Sequence, residues 1–528
     1  IPDVHNLLLR TTMTNVLRAR CYEYLLHNTY TRVTHNPKSF CQVRPVYTTR
    51  TRVEVNEVDG LRTGTCTRKF TMGSQCTRVA RSAKTSSIAA KAAIADVVVV
   101  GGGTSTGYLC RGLAINGFKG SVAIIGRETH LPYERPALSK GYLAKGGFPV
   151  ENFYTCAGRD WDKADKAWYA SHNMTFHLGA SVDKIDVGTK TVSFSDGRSL
   201  QASTALVIAT GARATTFTDF KIDVSKVKSG IHYLRDVGDA DCLIAALKDG
   251  GGGKDVVIIG GGYIGMEAAA CITNHAPKSI TMVFPSKHLM ARAFTAEIAS
   301  FYEKKYVEAG VKFMKEDYVV AVNVDEKTGA VKSVTLKSGL TVDGDVFIVG
   351  IGARPNTDLV SDQLNTLTKA PGGIVCNKFM ETSVDGVYAI GDIACYPCKY
   401  YDTDVLRFEH VHSARETALT AAANISGSLA EIEYLPSFYS RVLDLSWVMY
   451  GKNTTECHTY GNMATGLFGA WWVEEGKTVG GFIEGGSDED SIALKNLVLE
   501  QPAWYVFVRL WANWCGCEKG RRGGKRRM

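Results

Sequence analysis

Two glycine-rich turns constrain the fold of this chain more than any other feature. The first reads VVVVGGGTSTG over residues 97–107, and the second reads VVIIGGGYIGME over residues 256–267. Each turn follows a strand of β-branched residues and opens a helical pattern. In that context, glycines let backbone N–H groups approach a pyrophosphate at the helix N-terminus, where the helix dipole favours anions. Because there are two such turns, a domain's length apart, we predict two dinucleotide-binding folds.

The two turns differ at one position. The second turn has all three glycines of the pattern, whereas Thr106 stands at the third glycine position of the first turn. We expect Thr106 to compromise the packing of helix against strand slightly, without loss of the site. The first turn also requires an acid after the next strand, to bind ribose hydroxyls. Glu128 follows the strand at 121–125 and is the candidate, with a solvated loop acid as the alternative.

Three further strand-to-glycine segments follow a fixed order: LVIATGARA at 206–214, FIVGIGARP at 347–355 and VYAIGD at 387–392. The first two are of the kind that lead into and out of an inserted nucleotide domain. Asp392, at the end of the third, is placed to bind a ribityl chain. This order is characteristic of FAD-dependent pyridine nucleotide reductases. We therefore predict an α/β fold with two Rossmann-like domains, the FAD domain split by an inserted NAD(P) domain, and a small C-terminal α+β interface domain.

The domain limits follow from these segments and from changes in composition. A glycine-rich loop at 249–254 precedes the strand of the second turn, and aromatic-rich segments begin after about residue 425. The predicted limits are a leader at 1–92, an FAD-binding domain at 93–209 and 340–425, an NAD(P)H-binding domain at 210–339, an interface domain at 426–501 and a divergent basic tail at 502–528.

The net charge of +8 comes from the ends of the chain. Basic residues outnumber acidic ones in 1–91 and in 517–528, while the residues between are net negative, so we expect no nucleic-acid surface on the folded body. The N-terminal stretch is rich in Arg, Thr and Ser and poor in acids. That composition is typical of an organelle transit peptide, with an unprocessed extension as the alternative. It predicts a chloroplast location, with the mitochondrion as the alternative.

The remaining composition excludes several classes of protein. Fourteen cysteines at irregular spacings do not suggest a secreted disulfide framework, and they favour a reducing compartment. No run of about 18 apolar residues is present, so we expect no membrane span. No metal site is predicted.

The segment at 132–143 indicates the class of reductase. It reads PYERPALSKGYL and contains no cysteine, so the CxxxxC redox pair of the disulfide reductases is absent. A flavin here must hand electrons directly to an external acceptor. PYERPALSK resembles the ferredoxin-reductase-like branch, and within it the chain looks most like plant-type monodehydroascorbate reductase. The likeness covers roughly residues 96–501, and its most specific segments are ERPALSKGYL, GGGYIGME, TMVFP, EHVHSAR (409–415) and YLPSFYSR (434–441).

The resemblance implies a reaction and a set of residue roles. The family transfers a hydride from NAD(P)H to FAD and then two single electrons to monodehydroascorbate radicals, regenerating ascorbate in antioxidant defence, so no acid–base catalytic residue is expected. Arg415 and Arg441 would bind the anionic radical, because a guanidinium offers fixed charge and several donors. The residues implied for FAD are Gly101, Gly102, Gly103, Thr104, Glu128, Arg135, Lys140, Val182, Arg235, Asp236, Asp392, Val411 and Tyr439. Those implied for NAD(P)H are Gly261, Gly262, Tyr263, Ile264, Gly265, Met266, Glu267, Arg292, Gly352, Glu409 and His410. Ser286 joins them from its own place after the strand at 280–284, where it could bind a phosphate.

Three departures from the family pattern carry further expectations. After residues 283–285 the family usually has an acid, whereas this chain continues Ser-Lys-His from Ser286. We therefore predict that NADPH is used at least comparably to NADH. Cys395 and Cys398 form a CxxC that the family lacks, either a redox-active pair or two bystander thiols. From Pro502 onward the chain does not resemble the family.

Two alternative functions remain open from the sequence. An NAD(P)H-dependent ferredoxin or rubredoxin reductase would need a basic docking rim, whereas the body of this chain is net acidic. A flavoprotein of the apoptosis-inducing type would bind nucleic acid, and only the basic ends support it. We expect a small-molecule substrate and no nucleic-acid partner, and the oligomeric state stays open.

Overall fold

The computed structural model describes residues 92–154, 163–248, 253–367, 369, 372–401 and 405–503. The predicted leader, apart from its last residue, and the tail beyond residue 503 lie outside the described residues. Within the described ranges, no helix is both long enough and apolar enough to cross a membrane.

The first sheet starts with the valine run of the first glycine turn. Val97–Val100 are buried on both faces, as β-branched residues are in a parallel sheet. Strands β3, β2, β1 and β6 lie side by side in parallel, and the β4–β5 hairpin adds to β6 in antiparallel fashion. The elements of this part are β1 (Ala93–Val100), α1 (Thr104–Ile115), β2 (Val122–Gly126), α2 (Lys166–Ser171), β3 (Met174–Leu178), β4 (Val182–Asp186), β5 (Thr191–Phe194) and β6 (Ser199–Ile208).

The second sheet has five parallel strands in the order β11-β10-β9-β15-β8, and a separate antiparallel sheet of β12, β13 and β14 lies between β11 and β15 in the chain. Strand β15 belongs to the five-stranded parallel sheet. The chain therefore leaves that sheet after residue 349, whereas the predicted domain limit falls at residue 340. The elements are β7 (Ala212–Ala214), β8 (Ile231–Tyr233), α3 (Val237–Lys248), β9 (Asp255–Ile259), α4 (Tyr263–Thr273), β10 (Ser279–Phe284), α5 (Ala296–Glu308), β11 (Val311–Lys315), β12 (Val319–Val324), β13 (Val331–Leu336), β14 (Thr341–Asp343) and β15 (Val346–Val349).

The chain then returns to the first sheet. Strands β7 and β16, which lead into and out of the second sheet, pair with each other, and the side-chain amide of Asn356 donates to the carbonyl of Thr210 at 2.8 Å. Strand β19 pairs in parallel with β6 and completes the first sheet. The elements are β16 (Ala353–Pro355), β17 (Thr366–Leu367), β18 (Gly373–Val375), β19 (Val387–Ala389), β20 (Ala394–Cys395) and α6 (Val411–Ile425).

The last part is an antiparallel sheet in the order β21-β22-β25-β24-β23, followed by a helix that starts with a capping box of Ser487 and Asp490. Its Trp447 and Phe482 share a hydrophobic core with Tyr302 of α5. The architecture confirms the predicted fold class, with two nucleotide-type sheets, one inserted in the other, and a small C-terminal domain. The elements are β21 (Ser437–Val442), β22 (Leu445–Gly451), β23 (Glu456–Asn462), β24 (Leu467–Glu474), β25 (Lys477–Glu484) and α7 (Asp488–Glu500).

Candidate active site

A cavity of about 480 Å³ opens at the carboxyl ends of strands β1, β2 and β19, the usual place for a ligand in a parallel α/β sheet. All thirteen residues that the resemblance implies for FAD line it. Five of those implied for NAD(P)H line the same space, namely Tyr263, Ile264, Glu267, Glu409 and His410. The cavity therefore joins the first glycine turn to the helix that follows the second.

The first glycine turn is fixed by close backbone contacts. Gly101 has φ +124°, and a Cβ there would lie 2.1 Å from the carbonyl oxygen of Ala209, so only glycine fits. Thr106 is fully buried, and its hydroxyl donates to the carbonyl of Gly101 at 2.6 Å. Helix α1 begins after Gly103 with no side-chain cap and no acid in its first turn. Its first N–H groups are therefore left for an anion.

Glu128 is held by two neighbours from the following segment. It forms an ion pair with Arg135 and accepts a hydrogen bond from the hydroxyl of Tyr133 at 2.7 Å. Burial alone would raise the pKa of Glu128, but the Arg135 guanidinium and the Tyr133 hydroxyl outweigh it and hold that pKa below its usual range. The carboxylate is therefore ionised, and it can accept hydrogen bonds from ribose hydroxyls.

Two of the implied flavin ligands also contact each other across the fold. The guanidinium of Arg235 lies 2.9 Å from the carboxylate of Asp392, which lies in the 3-10 turn after β19. Arg135 donates to the backbone carbonyl of Arg235 at 3.0 Å. These contacts connect the segment after β8 to the segments that follow β2 and β19.

Glu267 is a buried acid with three partners. It lies on α4, is 3% exposed, and pairs with Lys140 at 2.7 Å. The hydroxyl of Ser440 donates to its other oxygen at 2.6 Å, and Ser139 donates a further hydrogen bond. Paired and hydrogen-bonded in this way, a buried carboxylate is tolerated. It joins α4, the C-terminal sheet and the 3-10 turn at 135–139.

Aromatic rings form one wall of the cavity. The ring centres of Tyr263 and Phe438 are 4.9 Å apart, and those of Phe438 and His410 are also 4.9 Å apart. Burial lowers the pKa of His410 to about 4, so the ring is neutral near pH 7. Nδ1 of His410 lies 3.2 Å from the hydroxyl of Tyr434, and neighbouring Glu409 pairs with Arg407 at 2.6 Å.

The second glycine turn repeats the geometry of the first. Gly260 has φ +124°, and a Cβ there would lie 2.1 Å from the carbonyl oxygen of Gly350. A Cβ at Gly265 would lie 2.1 Å from the carbonyl oxygen of Gly260. At Gly262, by contrast, a Cβ would meet no atom within 4 Å. The turn therefore faces open space at Gly262, where helix α4 begins without a side-chain cap.

The loop after β10 is bound by an acid from helix α5, which the sequence of the loop does not reveal. The hydroxyl of Ser286 donates to the carbonyl of His288 at 2.8 Å, while Lys287 is exposed. Glu303, from α5, accepts from the backbone N–H of Leu289 at 3.0 Å and pairs with Lys315 at 2.6 Å. This carboxylate is buried beneath the loop and already occupied.

The other implied residues lie outside the cavity lining. Met266 is buried, and its N–H donates to the carbonyl of Gly262. Arg292 and Arg441 are exposed, and Arg415 is half-buried on α6. The implied residues that do not line the cavity are Gly261, Gly262, Gly265, Met266, Ser286, Arg292, Gly352, Arg415 and Arg441.

Sequence reasoning missed several polar residues of the lining, among them His412 and Ser437. Nδ1 of His412 lies 2.7 Å from the hydroxyl of Ser437, and the His412 ring centre lies 5.6 Å from that of Tyr439. Burial lowers the pKa of His412 to about 4. The signal in the sequence is that both lie inside matched segments, His412 in EHVHSAR and Ser437 in YLPSFYSR.

The CxxC places two thiols in separate surroundings. The thiol of Cys395 donates to the carbonyl of Gly372 at 2.9 Å, whereas that of Cys398 donates to the carbonyl of Tyr434 at 3.8 Å. Burial raises the pKa of Cys395 to about 11 and also raises that of Cys398. Both are thiols and not thiolates near pH 7, which favours the bystander interpretation.

Comparisons with known proteins identify the family. The profile described as pyridine nucleotide-disulphide oxidoreductase matches residues 95–418, and that of the monodehydroascorbate reductase 3-like C-terminal domain matches residues 435–510. Monodehydroascorbate reductase 2, peroxisomal, of Oryza sativa subsp. japonica is 43% identical over 76% of this chain and 84% of its own length. The monodehydroascorbate reductase of Solanum lycopersicum is 41% identical over 77% of this chain and 94% of its own length. This chain belongs to the monodehydroascorbate reductase family.

Solved structures place the family fold among ferredoxin reductases. The putidaredoxin reductase of a covalent complex with putidaredoxin matches with a TM-score of 0.69 and 28% identity, over 77% of this chain and 93% of that one. A ferredoxin reductase from Rhodopseudomonas palustris matches with a TM-score of 0.68 and 25% identity, over 77% and 95%. The chain is thus an oxidoreductase with the fold of the predicted branch. The C-terminal family match runs to residue 510, past Pro502, where we expected the likeness to stop.

The prediction of a chloroplast location is wrong. Similar family members are named peroxisomal, in rice and in Arabidopsis thaliana, or cytosolic, in rice. The mitochondrial alternative finds no support in these names either. The prediction depended on the composition of residues 1–91, which lie outside the described residues. A basic, acid-poor stretch has the charge of a transit peptide but is not specific to one.

Proposed function

We propose that this chain oxidises NAD(P)H through a bound FAD and reduces the monodehydroascorbate radical to ascorbate, one electron at a time. The cavity is the main support. Residues of the first glycine turn and of the helix after the second turn line the same space, and none of the lining residues is a cysteine. Without a dithiol next to the flavin, the acceptor has to come from outside. The relatives are named after this radical.

The residues of the first sheet fit FAD. The uncapped start of helix α1 leaves N–H groups for a pyrophosphate, and Arg135 adds fixed positive charge beside Gly103, whose Cβ would lie 3.5 Å from its Nη2. The side-chain oxygens of Glu128 and Asp392 supply acceptors for the hydroxyls of the sugar and ribityl parts. When bound, FAD converts a two-electron donor into a source of single electrons.

The aromatic wall suits the nicotinamide ring. Tyr263, Phe438 and His410 present ring surfaces, and His410 adds no charge because it is neutral. Glu267 of α4 pairs with Lys140 and accepts a hydrogen bond from Ser440, which ties α4 to the C-terminal sheet. These side chains orient the two rings and keep water out, which is what transfer between stacked rings requires of a protein.

We assign the radical to the face of the C-terminal sheet that carries Tyr439 and Arg441, next to Arg415. Tyr439 lines the cavity. Burial raises the pKa of Tyr439, and the positive charges of Arg415 and Arg441 oppose that rise. Guanidinium groups provide positive charge and hydrogen-bond donors for an anionic, planar radical.

The direct test is steady-state turnover of the purified FAD-loaded chain. NAD(P)H oxidation should depend on monodehydroascorbate, generated from ascorbate by ascorbate oxidase in the cuvette. Glutathione disulfide should be inert, and ferredoxin and rubredoxin should support much slower turnover than the radical. Fast reduction of glutathione disulfide, ferredoxin or rubredoxin without a response to the radical would refute the proposal.

A further inference from the structure

Arg415 is held by Tyr108 and Glu134, two side chains that neither line the cavity nor belong to the residues implied for the cofactors or the radical. Nη2 of Arg415 donates to Oε1 of Glu134 at 3.1 Å. The guanidinium carbon lies 5.0 Å from the centre of the Tyr108 ring. The hydroxyl of Tyr108 donates to the same Oε1 of Glu134. The three side chains therefore form a closed set of contacts, with Glu134 accepting from both partners.

Each member comes from a different element of the first domain. Arg415 lies on α6, Tyr108 lies on α1, and Glu134 precedes the 3-10 turn at 135–139. Helices α1 and α6 approach closely because residue 112 is glycine: a Cβ there would lie 2.6 Å from the Cβ of Ala422. The backbone spacing that brings Tyr108 to Arg415 is therefore set by close packing.

The backbone of Glu134 is fixed by the chain segment to which it belongs, and that segment also lines the candidate flavin site. Its chain neighbour Arg135 pairs with Glu128 and lines the cavity. The backbone N–H of Glu134 donates to the carbonyl of Phe153 at 3.0 Å. One short segment thus carries both the cation next to the flavin site and the anion that binds Arg415.

The contacts leave Arg415 with unused donors. A guanidinium has five N–H groups. Nη2 binds Glu134, while Nε is buried and has no hydrogen-bond partner among the described residues. Buried donors without a partner are rare in folded proteins. A guanidinium held in one orientation, with donors to spare, is prepared to bind an anion without first losing rotamer freedom.

We propose that Glu134, together with Tyr108, positions Arg415 for the radical. Glu134 is a positioning residue, because it acts through the guanidinium and not on the substrate. The inference depends on the proposed function, in which Arg415 binds the anionic radical. It adds that the orientation of Arg415, and not only its charge, sets the affinity for that substrate.

The test compares Glu134→Ala, Glu134→Gln, Tyr108→Phe, Arg415→Ala and the double variant Glu134→Ala/Arg415→Ala in the FAD-loaded enzyme. Removing one charged hydrogen bond should lower kcat/KM for the radical about tenfold in Glu134→Ala, mainly through KM. Glu134→Gln keeps an acceptor oxygen and should recover most of this loss, and Tyr108→Phe should show a smaller loss than Glu134→Ala. Ferricyanide reduction and FAD content should stay unchanged in Glu134→Gln and Tyr108→Phe. Glu431→Ala, which removes an exposed ion pair with Lys378, is the matched control.

The double variant decides between positioning and independent action. If Glu134 acts through Arg415, adding Glu134→Ala to Arg415→Ala should cause no further loss. The inference is overturned if the losses of the two single variants multiply in the double variant. It is also overturned if kcat/KM for the radical is unchanged or increased in Glu134→Ala. If Glu134→Ala lost FAD, the comparison of Glu134→Gln and Tyr108→Phe with Arg415→Ala would decide in its place. Normal radical reduction by Arg415→Ala would refute the role of Arg415, and no radical turnover by the unmodified enzyme would refute the proposed function.

Discussion

Arg441 follows Tyr439 by two residues on strand β21, so the two side chains stand on the same face of the C-terminal sheet. Tyr439 lines the cavity, whereas Arg441 is exposed and Arg415 is half-buried. The radical site that we propose therefore contains one solvated and one partly desolvated guanidinium. Arg441 should attract the radical less strongly than Arg415 does, because water and salt screen the exposed charge more.

The first prediction follows from that difference. Arg415→Ala should lower kcat/KM for the radical roughly 10- to 150-fold, the loss expected for a charged hydrogen bond. Arg441→Ala should lower it only about fivefold, as exposed ion pairs do, and its effect should shrink as salt is added. Ferricyanide reduction and FAD content serve as controls. Equal losses with both acceptors would show that these arginines are structural.

The second prediction concerns the nicotinamide cofactor. Ser286 replaces the usual acid, Lys287 is exposed beside it, and Glu303 beneath the loop is already bound to Lys315. A 2′-phosphate therefore meets no free carboxylate from these residues, and we expect kcat/KM for NADPH to be at least comparable to that for NADH. A preference for NADH greater than about tenfold, or 1.4 kcal/mol, would contradict this.

Substitutions at Ser286 sharpen this test. Ser286→Glu should move the NADPH/NADH ratio toward NADH, because it restores a carboxylate that repels the phosphate. Ser286→Ala is the control, since it removes the hydrogen bond to the carbonyl of His288 without adding charge. If Ser286→Glu and Ser286→Ala have the same ratio, this loop does not select the cofactor.

The third prediction separates folding from nucleotide binding at the second turn. Gly260→Ala places a Cβ 2.1 Å from the carbonyl of Gly350 at φ +124°, so the melting temperature should fall by more than about 4 °C. Gly262→Ala meets no protein atom. It should keep its melting temperature and FAD while raising KM for NAD(P)H about tenfold or more. An unchanged KM in Gly262→Ala would mean that the nucleotide does not approach this glycine.

The fourth prediction is a pH dependence of stability. Glu484 of β25 is 1% exposed and accepts hydrogen bonds from Tyr302 of α5 and from the backbone N–H of Ser446. Burial outweighs these bonds and raises the pKa of Glu484. The folded state therefore favours the protonated acid. Its contribution to stability is complete below the unfolded pKa and is lost as the pH rises through the higher folded pKa.

Glu484→Gln should remove that loss, because the amide is neutral at every pH and has about the same shape. The melting temperature of the variant, relative to the unmodified enzyme, should therefore increase as the pH is raised from about 4 to about 8. Glu431→Gln, at an exposed carboxylate, should show no such trend. A constant difference for Glu484→Gln across this range would show that folding does not raise the pKa of Glu484.

The sequence predicts features that depend on neighbouring residues. The glycine turns, the valine run before Gly101 and the acids that end strands, Glu128 and Asp392, follow from local spacing, and the fold class follows from their order. The contact partners of these side chains do not follow from local spacing. Asp392 meets Arg235 and Arg415 meets Glu134 only because the chain folds back over long distances, and no periodicity connects such pairs.

Thr106 shows a subtler limit. Its substitution for glycine predicts a weakened contact between helix and strand. In the structure the hydroxyl donates to the carbonyl of Gly101, which supplies the contact in another way. At the equivalent place in the second turn, a Cβ on Gly265 would lie 2.1 Å from the carbonyl of Gly260. The backbone of the first turn leaves room for a side chain at this place and that of the second turn does not, a difference that the sequence does not report.

The insertion of the second sheet into the first also orders events on the ribosome. Strand β6 emerges early, but its parallel neighbour β19 emerges only after every strand of the second sheet. Because domains tend to fold as units during synthesis, the inserted sheet can fold while the first still lacks a strand. Completion of the inserted sheet brings together β7 and β16, the strands that lead into and out of it. A nascent chain that stalls before residue 387 would therefore hold a nicotinamide nucleotide fold and an unfinished flavin fold.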